Sequence, residues 1–338
     1  MKGISLFRRA GVATVVATAA MLGALQTAHA EPMRIGYWTS GVSLGFGAVL
    51  EAQKFLQQRG LDVTFIRFSD VNAPNRALAA NAIDFAFAAP AAAVFSTAAE
   101  GVPLKIVLAT QPADVEFVAP EDSLIKSLAD LRGKKVGMSP AGSSVALMTA
   151  AVLSANYGFK TGDYSLVPGN EARLAQFLLQ KQIDAAALRS VTVAQLTELK
   201  TKRLGTMVDE WHKLTKSDAM PYLGVGAVRT ELIEHDPQTV AKFIVAVRNA
   251  IAWGSAHPDQ VAAILQKSAN LPAADAKIYA AHWSELNSVS LEPIDIATLK
   301  REQQIFAQDG TIKGALPADV FAPGPYEAAK KMLAGSAS

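Results

Sequence analysis

The sequence predicts an α/β protein of two lobes. Three observations carry that expectation. Short apolar runs alternate with stretches of helical spacing over residues 33–110, and the alternation recurs on a smaller scale over 122–209. Two extended segments, 115–120 and 220–228, join the alternating regions, and two such crossings are what a hinge needs. From Arg229 onward the chain is helical with little strand character.

Met33–Trp38 (MRIGYW) reads as the first strand, followed by a polar turn at Thr39-Ser40-Gly41. Residues 46–59 place Val49, Leu50, Phe55 and Leu56 close to helical spacing before Gly60, a natural C-terminal stop. Residues 61–68 alternate as a strand and 73–81 read as a short helix after Asn72. A buried strand at 83–88 ends at Pro90, a helix at 91–100 is closed by Gly101, and a strand follows at 104–110. This rhythm predicts largely parallel sheets. In the second region, 127–131 is a short helix, 164–167 a strand, and 171–180 an amphipathic helix with Leu174, Phe177 and Leu178 on one face. Residues 183–188 form a strand leading to Arg189-Ser190, 193–202 a helix and 205–208 a short strand. The C-terminal third holds helices at 237–256, 258–268, 273–286 and 296–307. Asp236-Pro237 and His257-Pro258 put proline at the first helical position. The expected division is a leader at 1–30, a first lobe of 31–117 and 222–338 that carries the C-terminal helices, and a second lobe of 118–221.

The centre of this scheme is 134–153, KKVGMSPAGSSVALMTAAVL. A short strand, a small-residue turn and a serine-led helix start form an anion cradle. The unpaired N–H groups of the first turn point outward, and the helix dipole favours negative charge there. The plainer reading of Ser143 is an N-cap.

Residues 1–30 read as a secretory signal peptide rather than as fold. Lys2, Arg8 and Arg9 precede an uncharged apolar run at 10–25, and Ala28-His29-Ala30 gives a small-x-small cleavage pattern. The apolar run is shorter than the roughly 20 residues of a membrane span. The chain has no cysteine, which removes disulfides, thiolate metal sites and a cysteine nucleophile, and fits a bacterial periplasm. Formal charge is +2 and falls to −1 without the three leader cations, so no basic stripe remains for nucleic acid or membrane. Half the residues are hydrophobic and only 18% are charged, the composition of a packed globular chain.

Catalytic patterns are weak. His212, His235, His257 and His282 form no metal-ligand spacing, and Ser143 sits in no G-x-S-x-G elbow. Neither a phosphate loop nor a dinucleotide fingerprint occurs. The expectation is a binding protein, not an enzyme, with no cofactor or metal.

LADLRGKKVGMSPAGSSVALM (128–148) followed by LVPGNEARLAQFLLQKQIDAAAL (166–188) resembles the second lobe of the nitrate/sulfonate/taurine-type substrate-binding proteins of ABC importers. Residues 75–107 are similar to that family's first lobe, and 235–265 to its C-terminal helical region. The resemblance implies a type II-like two-lobed periplasmic binding protein, a monomer that closes around a small solute and docks on an inner-membrane permease. Two alternatives stand beside it: a solute-binding partner of a membrane sensor, and a pyrimidine-precursor binding or synthase-like protein. The synthase is disfavoured by the missing cysteines and the export signal.

Ligands of open α/β sheets bind beyond the carboxyl ends of the strands. That rule selects Trp38, Thr39, Ser40, Asn72, Ala89, Pro90, Asn170 and Arg189, joined by Ser143 and Ser144 at the helix start and Tyr222 as an aromatic flank. Arg189 ends an otherwise apolar strand and offers a fork of donors to a carboxylate or sulfonate. The expected ligand is a small organic anion.

Overall fold

The structure is a computed structural model that describes residues 32–308 and 310–335. The expected leader and its cleavage point after Ala30 lie outside the described residues. No helix among the described residues is long and apolar enough to cross a membrane.

The chain opens with β1 (Met33–Trp38), α1 (Gly41–Ala52), β2 (Val63–Phe68) and α2 (Ala73–Ala79). β3 (Phe85–Pro90), α3 (Ala91–Ala99) and β4 (Leu104–Pro112) follow. The second region holds β5 (Val115–Pro120), β6 (Lys135–Met138), α4 (Ser144–Tyr157), β7 (Ser165–Pro168) and α5 (Glu171–Leu179). It continues through β8 (Ala185–Arg189), α6 (Ser190–Gln195), β9 (Thr201–Thr206) and α7 (Met207–Thr215). β10 (Tyr222–Arg229) leads into α8 (Thr230–His235), α9 (Pro237–Ala256), α10 (Pro258–Ser268), α11 (Ala273–Ala281) and α12 (Trp283–Leu286). The short β11 (Val289–Ser290), α13 (Pro293–Gln308) and α14 (Gly324–Gly335) complete the chain.

Two sheets result, ordered β11-β4-β10-β3-β1-β2 and β7-β6-β8-β5-β9. The sheets are mixed, which corrects the expectation of largely parallel ones. β1 runs parallel to β2 and β3, and β6 parallel to β7 and β8. The strands that arrive from the other sheet run the opposite way: β10 is antiparallel to β3 and β4, and β5 to β8 and β9. A chain crossing between lobes enters the new sheet from the end facing the old one, so its first strand opposes those made by local βαβ turns. β5 lies wholly in the second sheet, so the outward crossing falls between Pro112 and Val115 and the return between Thr215 and Tyr222.

Three local departures from the sequence expectation have physical causes. α1 begins at Gly41, whose φ of +55° only glycine adopts without strain, rather than at residue 46. The expected helix at 193–202 is shorter, because Thr201–Thr206 pairs with β5 as β9. The segment 128–131 is a single 3₁₀ turn held by a reciprocal Ser127–Asp130 cap. Asp236 caps α9 as expected, accepting the Thr239 N–H at 3.0 Å.

The C-terminal helices pack mainly on the first sheet, with α9 central against α14, α12 and α10. α11 and α13 also reach the second region, at α6 and α4. Trp283 is enclosed, donates to the Ile251 carbonyl at 2.9 Å and stacks on Phe46 at 5.5 Å between centroids. It lies so close to α9 that a Cβ on Gly254 would stand 2.2 Å from its Cε2. A Gly254→Ala substitution gains about 1 kcal/mol of helix propensity. Overpacking costs about 1–3 kcal/mol and occasionally more, and an overlap with a locked indole belongs at the upper end. The expected result is net destabilisation, read as a lower urea midpoint at unchanged m-value. An unchanged or raised midpoint would show that the α9–Trp283 packing is loose.

Candidate functional site

The two sheets present the carboxyl ends of β1, β3, β6 and β8 to one another, and a cleft lies between them. It is lined from the first lobe by Trp38, Gly41, Val42, Ser43, Val71, Ala88, Pro90, Gln111 and Leu223. The second lobe supplies Ser139, Ser143, Ser144, Val145, Glu171 and Arg189. The space between these walls, counted together with the part open to solvent, is about 470 Å³.

Arg189 ends β8 and is only 5% exposed. Its Nε and Nη2 are enclosed without a hydrogen-bond partner, and no carboxylate among the described residues forms an ion pair with it. Burial depresses its pKa; the fields of Asp114 and Glu171 oppose that without cancelling it. Buried guanidinium groups are ordinarily paired, because desolvating a charge without compensation costs several kcal/mol. This one keeps two donors open at the cavity.

Glu171, the first residue of α5, is the other charged group of the wall. Its Oε2 accepts the Arg189 backbone N–H at 3.3 Å, and its carboxylate is hydrogen-bonded to the Thr192 side chain. Burial pushes its pKa up, against the pull of Thr192 and Arg189.

The hydroxyls are oriented by the bonds they accept. Ser143 Oγ accepts the Ala146 N–H at 3.3 Å, which caps α4. Ser144 Oγ accepts the Ala92 N–H at 3.2 Å, a buried bond from one lobe to the start of α3 in the other. Ser43 Oγ accepts from Gln111 Nε2 at 2.9 Å. A hydroxyl that accepts one bond still has a proton to donate, and none of the three donates to a neighbour among the described residues.

The wall is also strained. Ala88 and Gln111 have φ of 53° and 54°, left-handed values that cost a residue with a Cβ about 1–3 kcal/mol. β10 shifts register against β3 beside Ala88, and a Cβ on Gly224 would stand 2.8 Å from Oγ1 of Thr110, the neighbour of Gln111. Backbone strain of this kind concentrates at functional sites.

Of the residues selected from the sequence, the structure brings Trp38, Pro90, Ser143, Ser144 and Arg189 together on this cavity. The other six candidates are placed elsewhere. Thr39 Oγ1 donates to the Phe68 carbonyl, and its side chain borders a different surface cleft beside Tyr37 and Arg67. Ser40 faces a second interlobe cleft. Asn72 precedes α2, with its Nδ2 3.8 Å from where a Gly142 Cβ would stand. Ala89 is enclosed in β3, and Ala88 takes its place on the wall. Asn170 is exposed and caps α5 by accepting the Arg173 N–H at 2.9 Å. Tyr222 turns away: its hydroxyl donates to Asp295 Oδ1 at 2.7 Å. Sequence reasoning missed Glu171, Gln111 and Ser43. The only signal for Glu171 was an acid in a first helical turn, which the helix dipole explains on its own.

Paired α/β sheets, two crossings and a cleft at the strand ends define a two-lobed periplasmic binding protein fold. The NMT1/THI5-like family model matches residues 48–261, and the chain belongs to this family. A binding protein of Brucella abortus is 24% identical over 295 residues, covering 86% of this chain and 85% of its own. The aliphatic sulphonate binding protein SsuA from Escherichia coli superposes with a TM-score of 0.71 at 20% identity, over 86% of this chain and 91% of that one. The alkanesulfonate-binding protein SsuA from Xanthomonas axonopodis pv. citri, bound to MOPS, gives 0.72 at 20% identity, over 87% and 99%. The desulfurization enzyme DSZB gives 0.60 at 14% identity, over 89% and 99%, so the fold also carries an enzyme.

Proposed function

We propose that this protein is the periplasmic solute-binding component of an ABC importer and captures a small organic anion, of sulfonate or carboxylate type, between its lobes. The observation that carries the reading is the enclosed Arg189 guanidinium with two open donors at the interlobe cavity. Planar donors of this kind match a carboxylate or a sulfonate edge. The hydroxyl protons of Ser43, Ser143 and Ser144 supply neutral donors for the remaining oxygens, and Trp38 and Leu223 give apolar surface for a short carbon body. The family and the two sulfonate-binding SsuA proteins that share this fold point the same way.

Solute lands on the first lobe, and rotation about the crossings at 112–115 and 215–222 brings Arg189 and the two serines over it. The shift in population equals the difference in affinity between the open and closed forms. Binding without turnover is supported by a cavity wall that holds no histidine and a chain that holds no cysteine. The closed form is the one read by the permease, with the protein a monomer.

The test starts with the protein as purified. Small molecules released on denaturation are identified by mass spectrometry, and a panel of sulfonates, carboxylates and neutral isosteres is titrated by calorimetry. An anion recovered near stoichiometry and a panel preference for anions are expected, together with compaction in solution scattering on binding. Preference for neutral isosteres, or chemical conversion of a panel member, would refute the reading.

A further inference from the structure

A second, smaller space adjoins the Arg189 cavity on the first-lobe side. It measures about 200 Å³, counted together with the part open to solvent, and Phe46, Phe87, Ile251 and Val289 give it an apolar wall. Phe46 and Phe87 stack there at 5.1 Å between centroids. Among the described residues, Gln111 alone belongs to both linings. It ends the cavity on one side and the second space on the other.

The backbone is bent to put it there. Gln111 lies in β4, and a regular strand sends successive side chains to opposite faces. Thr110 and Gln111 nevertheless border the same space. The left-handed φ of 54° at Gln111 breaks the alternation, a conformation that a residue with a Cβ keeps only under strain. The amide is fixed from two elements. Its Nε2 donates to Ser43 Oγ on α1 at 2.9 Å, and its Oε1 lies 3.4 Å from where a Gly224 Cβ would stand on β10. With its head group on Arg189, a guest turns its carbon body to the first lobe, whose wall carries Trp38, Val42, Val71 and Leu223. Gln111 stands where that wall meets the second space.

We propose, resting on the function proposed above, that Gln111 is the specificity-determining residue for the length of the guest: its amide partitions the two spaces and ends the room for the carbon body. A longer body has to push the amide off Ser43 and leave its polar atoms against apolar surface, which works against binding. Without the partition, the apolar wall of the second space becomes part of the site, and each further carbon gains from burial there.

Gln111→Gly tests this with the backbone kept, because glycine takes a φ of 54° without strain. Gln111→Asn is the second variant, an amide one methylene shorter in a residue type that tolerates left-handed values. Calorimetry follows two linear series, ethane- to octane-1-sulfonate and ethanoate to octanoate, in the parent and both variants. In the parent, affinity is expected to rise roughly fourfold per added carbon while the body fits, then to fall once it reaches Gln111. In Gln111→Gly the rise is expected to continue, so that the longest members gain about tenfold or more over the parent. In Gln111→Asn the turning point is expected to move less. A turning point at the same length in all three proteins overturns the proposal, as does a parent series with no turning point. An equal shift of every member in both variants also overturns it, since Gln111 then serves Ser43 alone. A parent that binds its co-purified solute but no member of either series does the same, because the cavity then takes no alkyl body. In each of these cases Arg189-dependent anion binding would still stand. Absence of Arg189-dependent binding for every probe and for the co-purified solute would remove both readings together.

Discussion

An Arg189→Met variant is expected to lose about 100-fold or more in affinity for the anionic solute while staying folded. Hydrogen bonds to charged groups are worth about 1.5–3 kcal/mol each, and Arg189 has two open donors, Nε and Nη2, to give. Losing both removes roughly two to four decades of binding at about 1.4 kcal/mol per decade. Methionine fills a similar length of cavity without charge, so the packing of β8 is kept. Ligand-free stability is expected to move the other way. The parent buries a guanidinium without a full complement of partners, and relieving that desolvation should leave the variant as stable as the parent or more so. Calorimetric titration and ligand-free urea unfolding check the two halves separately. Unchanged affinity would take Arg189 out of the site. A large loss of ligand-free stability would make it a structural cation that serves Asp114 and Glu171. Arg189→Lys is not expected to restore binding, because a compact ammonium cannot present two parallel donors.

What the sequence could show of this site follows from how local each feature is. The carboxyl end of a strand can be read from the apolar run before it, which is why Trp38, Pro90 and Arg189 were legible. The start of α4 was legible for the same reason, and Ser143 caps the helix, its plainer reading, while also lining the cavity. Side-chain direction is less local. Thr39 and Ser40 are neighbours, yet they face two different clefts. Ala88 rather than Ala89 reaches the wall because a left-handed residue breaks the alternation of β3, and periodicity cannot reveal such a break. Tyr222 was lost to Asp295, a partner far along the chain on α13. The strand at 201–206 has the same origin: its identity comes from pairing with β5, against a local pattern that reads as helix. Glu171 illustrates a further limit. An acid at a helix start satisfies a complete local explanation, so nothing in the sequence asks for a second role.

The second large effect is expected at Glu302, which holds the far end of the return crossing. This residue is fully enclosed on α13, where Oε1 accepts the Tyr222 backbone N–H at 2.8 Å and Oε2 has no partner. Burial pushes its carboxyl up to about 8 from the ordinary 4.5; the bond from Tyr222 pulls it down only in part. A carboxyl raised in the native state holds a proton that the unfolded chain has released. Its contribution to stability is therefore complete below about pH 4.5, falls as pH rises and is lost above about pH 8. At about 1.4 kcal/mol per unit, the shift corresponds to about 5 kcal/mol across that window. Glu302→Gln keeps the acceptor for Tyr222 and cannot ionise, so its stability lacks this slope. At pH 5 the variant should be equal to the parent or somewhat less stable, since its amide leaves two enclosed N–H donors where the protonated carboxyl leaves one O–H. At pH 9 the variant should be more stable by several kcal/mol. The difference between the two isolates Glu302, because every other titrating group is common to both. Urea unfolding at pH 5, 7 and 9 measures it, and a difference that stays constant across the three would mean that water or a rearranged neighbour stabilises the ionised carboxylate at the crossing.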